Sequence, residues 1–187
     1  METPSTSSAV DVVEESAPTP PTADESIVVG GKEFSVSSRL LSLHSPFFGE
    51  LFFVCETAVR KAKEEEALSG VSPDDFEHLL KLAAGGTVIP DENLDAVLRL
   101  AHKFGMLDIV DRCERLLLRQ ECSLPLTSRI LLAGNFCSTS SLNQLVDRIS
   151  DIQEFKTVFE TVRSSLPSSD SSSATIHALL TKFPGLL

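Results

Sequence analysis

Three consecutive segments of this chain carry apolar residues at helical spacing, each bounded by residues that start or stop helices. Phe76, Leu79, Leu80 and Ala83 fall at i, i+3, i+4 and i+7, and so do Leu94, Val97, Leu98 and Ala101. Met106, Val110, Cys113 and Leu117 follow at spacings of four, three and four. Ser72-Pro73-Asp74-Asp75 supplies a cap, a first-turn proline and early acid for the first helix, and Gly85-Gly86 ends it. Pro90-Asp91-Glu92 opens the second, and Gly105 breaks it from the third. Short helices with one apolar stripe must bury that stripe against each other, so the pattern predicts stacked helical hairpins.

More helices are predicted downstream: 126–136, 142–149 with Ser141-x-x-Gln144 as a capping box, and 154–164. Ser168 to Ser173 reads as a polar linker before a last amphipathic helix, Ala174 to Phe183. Upstream, Ile27-Val28-Val29 and Lys32-Glu33-Phe34-Ser35-Val36 flank Gly30-Gly31, which predicts a β-hairpin with a two-residue turn. Gly30-Gly31-Lys32 is not a phosphate loop, because it lacks the earlier glycine and the following Ser or Thr. Ser38 to Leu43 reads as a short helix, and Ser45-Pro46 starts another through Phe47, Phe48, Leu51 and Phe52. Arg60 to Glu66 reads as a charged mobile loop, with a weak strand signal over Glu64 to Leu68.

The chain of 187 residues is about one domain long. Its formal charge of −11 argues against nucleic acid or an anionic membrane as the main partner. Residues 1–26 hold six acidic and no basic groups, leaving 21 acidic against 16 basic side chains elsewhere. That first segment, rich in Pro, Ser and Thr, reads as a disordered solvated tail over residues 1–25. Thr3-Pro4 and Thr19-Pro20 have the form of proline-directed phosphorylation sites. Trp and Tyr are absent, which excludes stacking surfaces built on them. No apolar run approaches the ~20 residues of a membrane helix. Four cysteines are too few for a disulfide scaffold, and no secretory signal is visible, so a reducing compartment, cytoplasmic or nuclear, is expected.

No reactive constellation is expected. The four histidines lie far apart, and no Cys-x-x-Cys occurs. Cys113 sits in an apolar stripe and Cys137 at a helix end, so both read as small buried hydrophobes. A Cys55/His44 nucleophile pair would need a carboxylate converging on it in one cleft. His102 and the Asp95–Arg99 pair read as a solvated helix face. The expectation is a chain that is not an enzyme, needs no cofactor or metal, and works through its surfaces on protein partners.

At this point the ordered motifs resemble the BTB (POZ) family. The matching stretches are Ile27 through Val36, Leu40-Leu41-Ser42 and His44-Ser45-Pro46-Phe47-Phe48. Leu51-Phe52, Leu68, Val71 through Phe76 and Leu79-Leu80 follow. The last are Glu92-Asn93, Leu98, Leu100-Ala101, Phe104-Gly105-Met106 and Cys113-Glu114. The set spans about 90 residues, and its order is more specific than any one string.

The resemblance implies an α+β fold: a short mixed sheet packed on a cluster of helical hairpins, followed by extra C-terminal helices. The implied organisation is a tail over 1–25, a BTB domain over 26–121, a helical extension over 122–166, and a linker with terminal helix over 167–187. It implies a protein–protein interaction module, and many relatives are substrate adaptors for a cullin-type E3 ubiquitin ligase. Cullin-binding members carry a hydrophobic-x-Glu motif after the Ser-Pro helix, and Val54-Cys55-Glu56 has that form, making these three the partner-binding expectation. The family also homodimerises, which points to Leu40 and Leu43 as the self-contact. The alternative reading is a homo-oligomerisation scaffold, transcriptional or structural, without a ligase role. Two departures stand out. The region before the first strand, which builds much of the family's dimer interface, is here a Pro- and acid-rich tail with only Val10, Val12 and Val13 as apolar candidates. No segment resembles a MATH, kelch or zinc-finger module, so substrate reading is expected of the tail, the C-terminal helices or a dimer partner.

Overall fold

The computed structural model describes residues 24–165 and 170–182. Its chain opens with a hairpin of β1 (Glu25–Val29) and β2 (Lys32–Val36), paired antiparallel in the register Ile27 opposite Phe34. Gly30 and Gly31 turn it with φ of 56° and 84°, the left-handed pair that the two-residue turn needs. Gly30 is also required by proximity, since a Cβ there would lie 2.8 Å from Pro73 Cγ. Ten helices follow among the described residues: α1 (Ser38–His44), α2 (Pro46–Phe53), α3 (Thr57–Leu68), α4 (Pro73–Ala83), α5 (Asp91–Lys103) and α6 (Leu107–Leu117). Then come α7 (Leu126–Phe136), α8 (Thr139–Val146), α9 (Ile152–Ser165) and α10 (Asp170–Lys182). The architecture is α+β and mostly helical, as the resemblance implies.

Ile27, Val29, Phe34 and Val36 alternate inward along the hairpin and meet the buried stripes of α1, α2, α4, α5 and α6 in one core. Its centre is aromatic. Phe48 lies 5.1 Å from both Phe47 and Phe104, and Phe52 stacks on Phe48 at 5.9 Å, while Phe34 meets Phe76 edge-on at 5.4 Å. Within it, the fully buried Ser45 hydroxyl donates to the Phe104 carbonyl at 2.5 Å and accepts from the Phe48 N–H at 3.3 Å. One side chain thereby caps α2 and ties it to the turn between α5 and α6.

A second core gathers Ile130 and Ala133 of α7, Leu142 and Leu145 of α8, Val158 and Val162 of α9 and Leu179 of α10. Helix α7 is the shared wall, because its Leu132 belongs to the first core. Buried Arg129 of α7 donates through Nε to the Leu117 carbonyl at 2.6 Å and through Nη2 to the Arg119 carbonyl at 2.6 Å. Arg148 donates to the Leu118 carbonyl. The otherwise unpaired carbonyls at the end of α6 are thus satisfied by the extension itself. Gly134 gives α10 its seat: a Cβ there would lie 2.0 Å from the Thr175 hydroxyl oxygen.

Several expectations are corrected. Among the described residues the sheet is the antiparallel pair of β1 and β2, where a mixed sheet was expected. Arg60 to Glu66 is neither a loop nor, over Glu64 to Leu68, a strand; both lie in α3. Alanine, Lys and Glu favour helix there, and long-range pairing fixes it. Arg60 grips Glu25 bidentately at 3.1 and 2.8 Å and lies over the Phe52 ring, while Lys63 meets Glu50 at 2.5 Å. The Val28 N–H on the outer edge of β1 donates not to another strand but to the Glu64 carboxylate, at 3.2 Å. Ordered structure reaches into the expected tail over 1–25. Glu25 begins β1, and Asp24 accepts the Ser38 N–H at 2.7 Å and hydroxyl at 2.6 Å, which hold its carboxyl below the usual range. Expectations for residues 1–23 lie outside the described residues.

Helix α8 is capped by Ser138, not Ser141, and starts three residues earlier than the capping box predicts. The Ser138 hydroxyl is held by Glu114 at 2.5 Å, a partner no local pattern reveals. Helix α10 begins at Asp170, inside the expected linker.

Two outcomes test this framework. Ser45→Ala removes the α2 cap and strands a buried carbonyl, so urea unfolding should show a loss of about 1–3 kcal/mol. Glu77 of α4 binds Lys32 of β2 at 2.7 Å and Lys81 at 2.8 Å, and these ammonium groups pull its pKa from 4.5 to about 2. A depressed carboxylate stabilises above its unfolded pKa and loses that contribution as pH falls through its folded one. Glu77→Gln should therefore lower the melting temperature at pH 7, and the gap from the parent should close between pH 4.5 and about 2.

Candidate functional site

The joint between α2 and α3 is built from residues that the core does not use. Phe48, Leu51 and Phe52 form the inward stripe of α2, so Phe53, one position on, rotates away and is 63% exposed. Val54 ends α2 and is 75% exposed. Cys55 turns back toward the protein and is half-buried, its N–H donating to the Glu50 carbonyl at 3.0 Å. Glu56 precedes α3 in an extended conformation, φ −63° and ψ 148°, but its side chain makes no capping hydrogen bond. Val54 and Glu56 therefore both face solvent from one kink while the residue between them faces in. Val59 adds a further exposed apolar side chain one turn into α3.

The kink is held from below. Lys63 bridges the Glu50 carboxylate and the Cys55 thiol, and chiefly the Glu50 hydrogen bond raises its pKa. Arg60 fixes α3 against β1 through Glu25 and against α2 through Phe52. The displayed set is three apolar side chains beside a carboxylate that makes no hydrogen bond or ion pair among the described residues. Such a set can fill an apolar pocket and accept hydrogen bonds at its edge, which is binding chemistry. The Val-x-Glu pattern was legible in the sequence. Phe53 and Val59 were not singled out, although an apolar residue one step off the stripe of α2 was the available signal.

Leu40 and Leu43 share α1, but their surroundings differ. Leu43 is 81% exposed, while Leu40 is half-buried in a groove with Val36, Leu41 and Leu80. Beyond Leu43, the His44 ring Nδ1 meets the Asp108 carboxylate at 2.7 Å and joins α1 to the first turn of α6. Leu107, next to Asp108, is exposed as well.

The groups weighed for catalysis go to different places. His44 pairs with Asp108 and Cys55 with Lys63, so the two do not share a partner. Cys113 is fully buried, and burial pushes its thiol up to about 12; Cys137 rises to about 12 for the same reason. Neither supplies thiolate near neutral pH. His102 is exposed, with its ring edge against Phe136. Among the described residues no three His, Cys, Asp or Glu side chains converge as a metal site would, and no helix is long and apolar enough to cross a membrane.

Comparison with known proteins agrees with the fold. The chain is 32% identical over 99 residues to BTB and MATH domain-containing protein 15 of Caenorhabditis elegans, an overlap of 52% of this chain and 35% of that protein. It is 25% identical over 146 residues to BTB and MATH domain-containing protein 45 of the same organism, covering 78% of this chain and 30% of the relative. Protein 38 of that series matches at 25% over 136 residues, 72% of this chain and 34% of the relative. The chain thus spans about a third of the length of these curated relatives. No solved structure matches it. The BTB/POZ domain family model matches residues 17–121, more than half of the chain, and the chain belongs to that family of protein–protein interaction domains.

Proposed function

We propose that the chain is a BTB substrate adaptor that docks a cullin-type ubiquitin-ligase scaffold through the α2–α3 joint and performs no chemistry itself. The observation that carries this reading is the joint outward display of Val54 and Glu56, with Phe53 beside them, on a kink pinned by Lys63 and Arg60. In this reading Val54 and Phe53 fill an apolar pocket on the scaffold and the Glu56 carboxylate accepts its hydrogen bonds. Cys55 holds the turn rather than touching the partner. A reducing compartment, cytoplasmic or nuclear, suits the four free cysteines.

A second reading rests on Leu43, 81% exposed on α1, with Leu107 exposed beyond the His44–Asp108 pair. There the domain is a homo-oligomerisation scaffold, transcriptional or structural, with Leu43 and Leu40 at the self-contact. A lasting homodimer would bury roughly 1,200 Å² or more around them.

The two separate cleanly. With a purified cullin scaffold, Val54→Ala combined with Glu56→Ala should weaken capture about tenfold or more while the melting temperature stays near that of the parent. Undiminished capture would reject the adaptor role of these residues. Light scattering of the full chain, with Leu43→Asp beside it, tests the second reading: a dimer dissociated by that substitution supports it, and a monomeric parent removes it.

A further inference from the structure

We propose that a cavity between α6 and the turn after α4 binds an acidic segment of a partner protein through Arg112, Arg115 and Arg119. This surface is distinct from the α2–α3 joint and does not depend on the cullin reading. The cavity has a volume of about 360 Å³ and is lined by Leu82, Thr87, Leu116 and the three arginines, with no carboxylate among them.

Arg112 and Arg115 lie one turn apart on α6, and Arg119 follows just past its end, so all three border the cavity. Arg112 is set in place: its Nη1 donates to the Leu82 carbonyl at 2.8 Å and its Nη2 to the Gly86 carbonyl. Arg115 and Arg119 are exposed, and their guanidinium groups make no hydrogen bond or ion pair among the described residues. The ordinary explanation for basic residues at a helix C-terminus is that they satisfy its carbonyls and oppose its dipole. Here that work is done by others. Arg129 takes the carbonyls of Leu117 and Arg119, and Arg148 takes that of Leu118. Five of the nine arginines of the chain thus gather around one end of α6, two of them with no hydrogen bond or ion pair among the described residues.

Asp91 and Glu114 act on Arg119 and Arg115 electrostatically, but neither carboxylate hydrogen-bonds them. Asp91 acts electrostatically on Arg119 and Arg129, but it is held by the Ser123 N–H at 2.6 Å. Glu114 lies beside Arg115 in sequence but takes the Ser138 N–H at 3.0 Å. The planar guanidinium matches a carboxylate in bidentate fashion, and Leu82 and Leu116 give the cavity an apolar side for a neighbouring side chain. The charge of the whole chain decides the source of the ligand. A body of net charge −11 repels an extended polyanion such as nucleic acid or an anionic bilayer, whereas a short acidic peptide feels mostly the local arginines.

The test uses the full chain and a fluorescein-labelled peptide of six glutamates with one central leucine, read by fluorescence polarisation at 0.1 M salt. Saturable binding is expected. Arg115→Gln combined with Arg119→Gln should weaken it roughly tenfold or more, while Arg39→Gln, on α1, leaves it unchanged. Because both replaced side chains are exposed, thermal melts should coincide with the parent. Charge reversal, Arg115→Glu with Arg119→Glu, should shift preference to the matching lysine peptide. Absence of binding, or binding indifferent to the double replacement, would overturn the proposal. So would equal competition by a single-stranded DNA oligomer or by phosphatidylserine vesicles, which would mark a generic anion surface. Binding that emerges only after deletion of residues 1–23 would assign the cavity to the chain's own acidic segment and overturn it too.

Discussion

The buried hydroxyl of Ser45 is the hinge pin of this fold. It sits where α1 gives way to α2, inside a cluster of phenylalanines, and it spans to the carbonyl of Phe104 at the end of α5. The other contacts inside the cluster are mostly between apolar rings, which dispersion and burial alone would hold only loosely in register. One directional bond in a low-dielectric setting fixes their register. The absence of Trp and Tyr fits this division of labour: Phe carries no polar group that would need a partner of its own. The rings fill space and the serine sets position.

From that centre, the fold departs outward at the sheet. A hairpin with an open edge on β1 has amides that another strand would pair. In this chain α3 lies there instead, and the Glu64 carboxylate takes the Val28 N–H. The guanidinium of Arg60 meanwhile holds the helix to Glu25 on the same strand. A side chain substituting for a backbone acceptor satisfies the donor without extending the sheet. The consequence reaches the candidate site directly. Because the chain leaves α2 and enters a helix rather than a strand, it turns at Val54-Cys55-Glu56, and that turn sets Val54 and Glu56 outward beside Phe53.

Much of this was readable from local pattern. The hairpin, the starts of α1 and α2, and α4 through α6 depend on periodicity, caps and glycine stops within a few residues, and these stand as expected. What escaped depends on partners far away in the chain. Arg60 to Glu66 looked like a loop because its charges had no visible counterpart, yet Glu25 and Val28 are 35 and 36 residues off. The start of α8 was misplaced because Ser138 owes its position to Glu114, 24 residues earlier. The start of α10 was misplaced for a related reason: a run of serines has weak helix propensity, and what seats the helix is the missing Cβ of Gly134. At the site, Val54 and Glu56 were legible as a motif. Their neighbours Phe53 and Val59 were not singled out, although the place of Phe53 one step off the apolar stripe of α2 was a signal for the former.

The same logic separates structural charge from available charge. Counting Lys and Arg along α6 suggests a helix end decorated in the usual way. Three-dimensional accounting reverses this, because guanidinium groups arriving from α7 and after α8 have already taken the terminal carbonyls. Two cations at that end therefore carry no hydrogen bond or ion pair among the described residues, in a chain of net charge −11. The α2–α3 joint offers the opposite chemistry, apolar side chains beside a carboxylate. In the adaptor reading proposed above, these would be two faces for different partners, and opposite charge is the simplest physical means of keeping such faces apart. Like charges brought together at the wrong face are penalised, so each face rejects the ligand of the other before shape complementarity is tested.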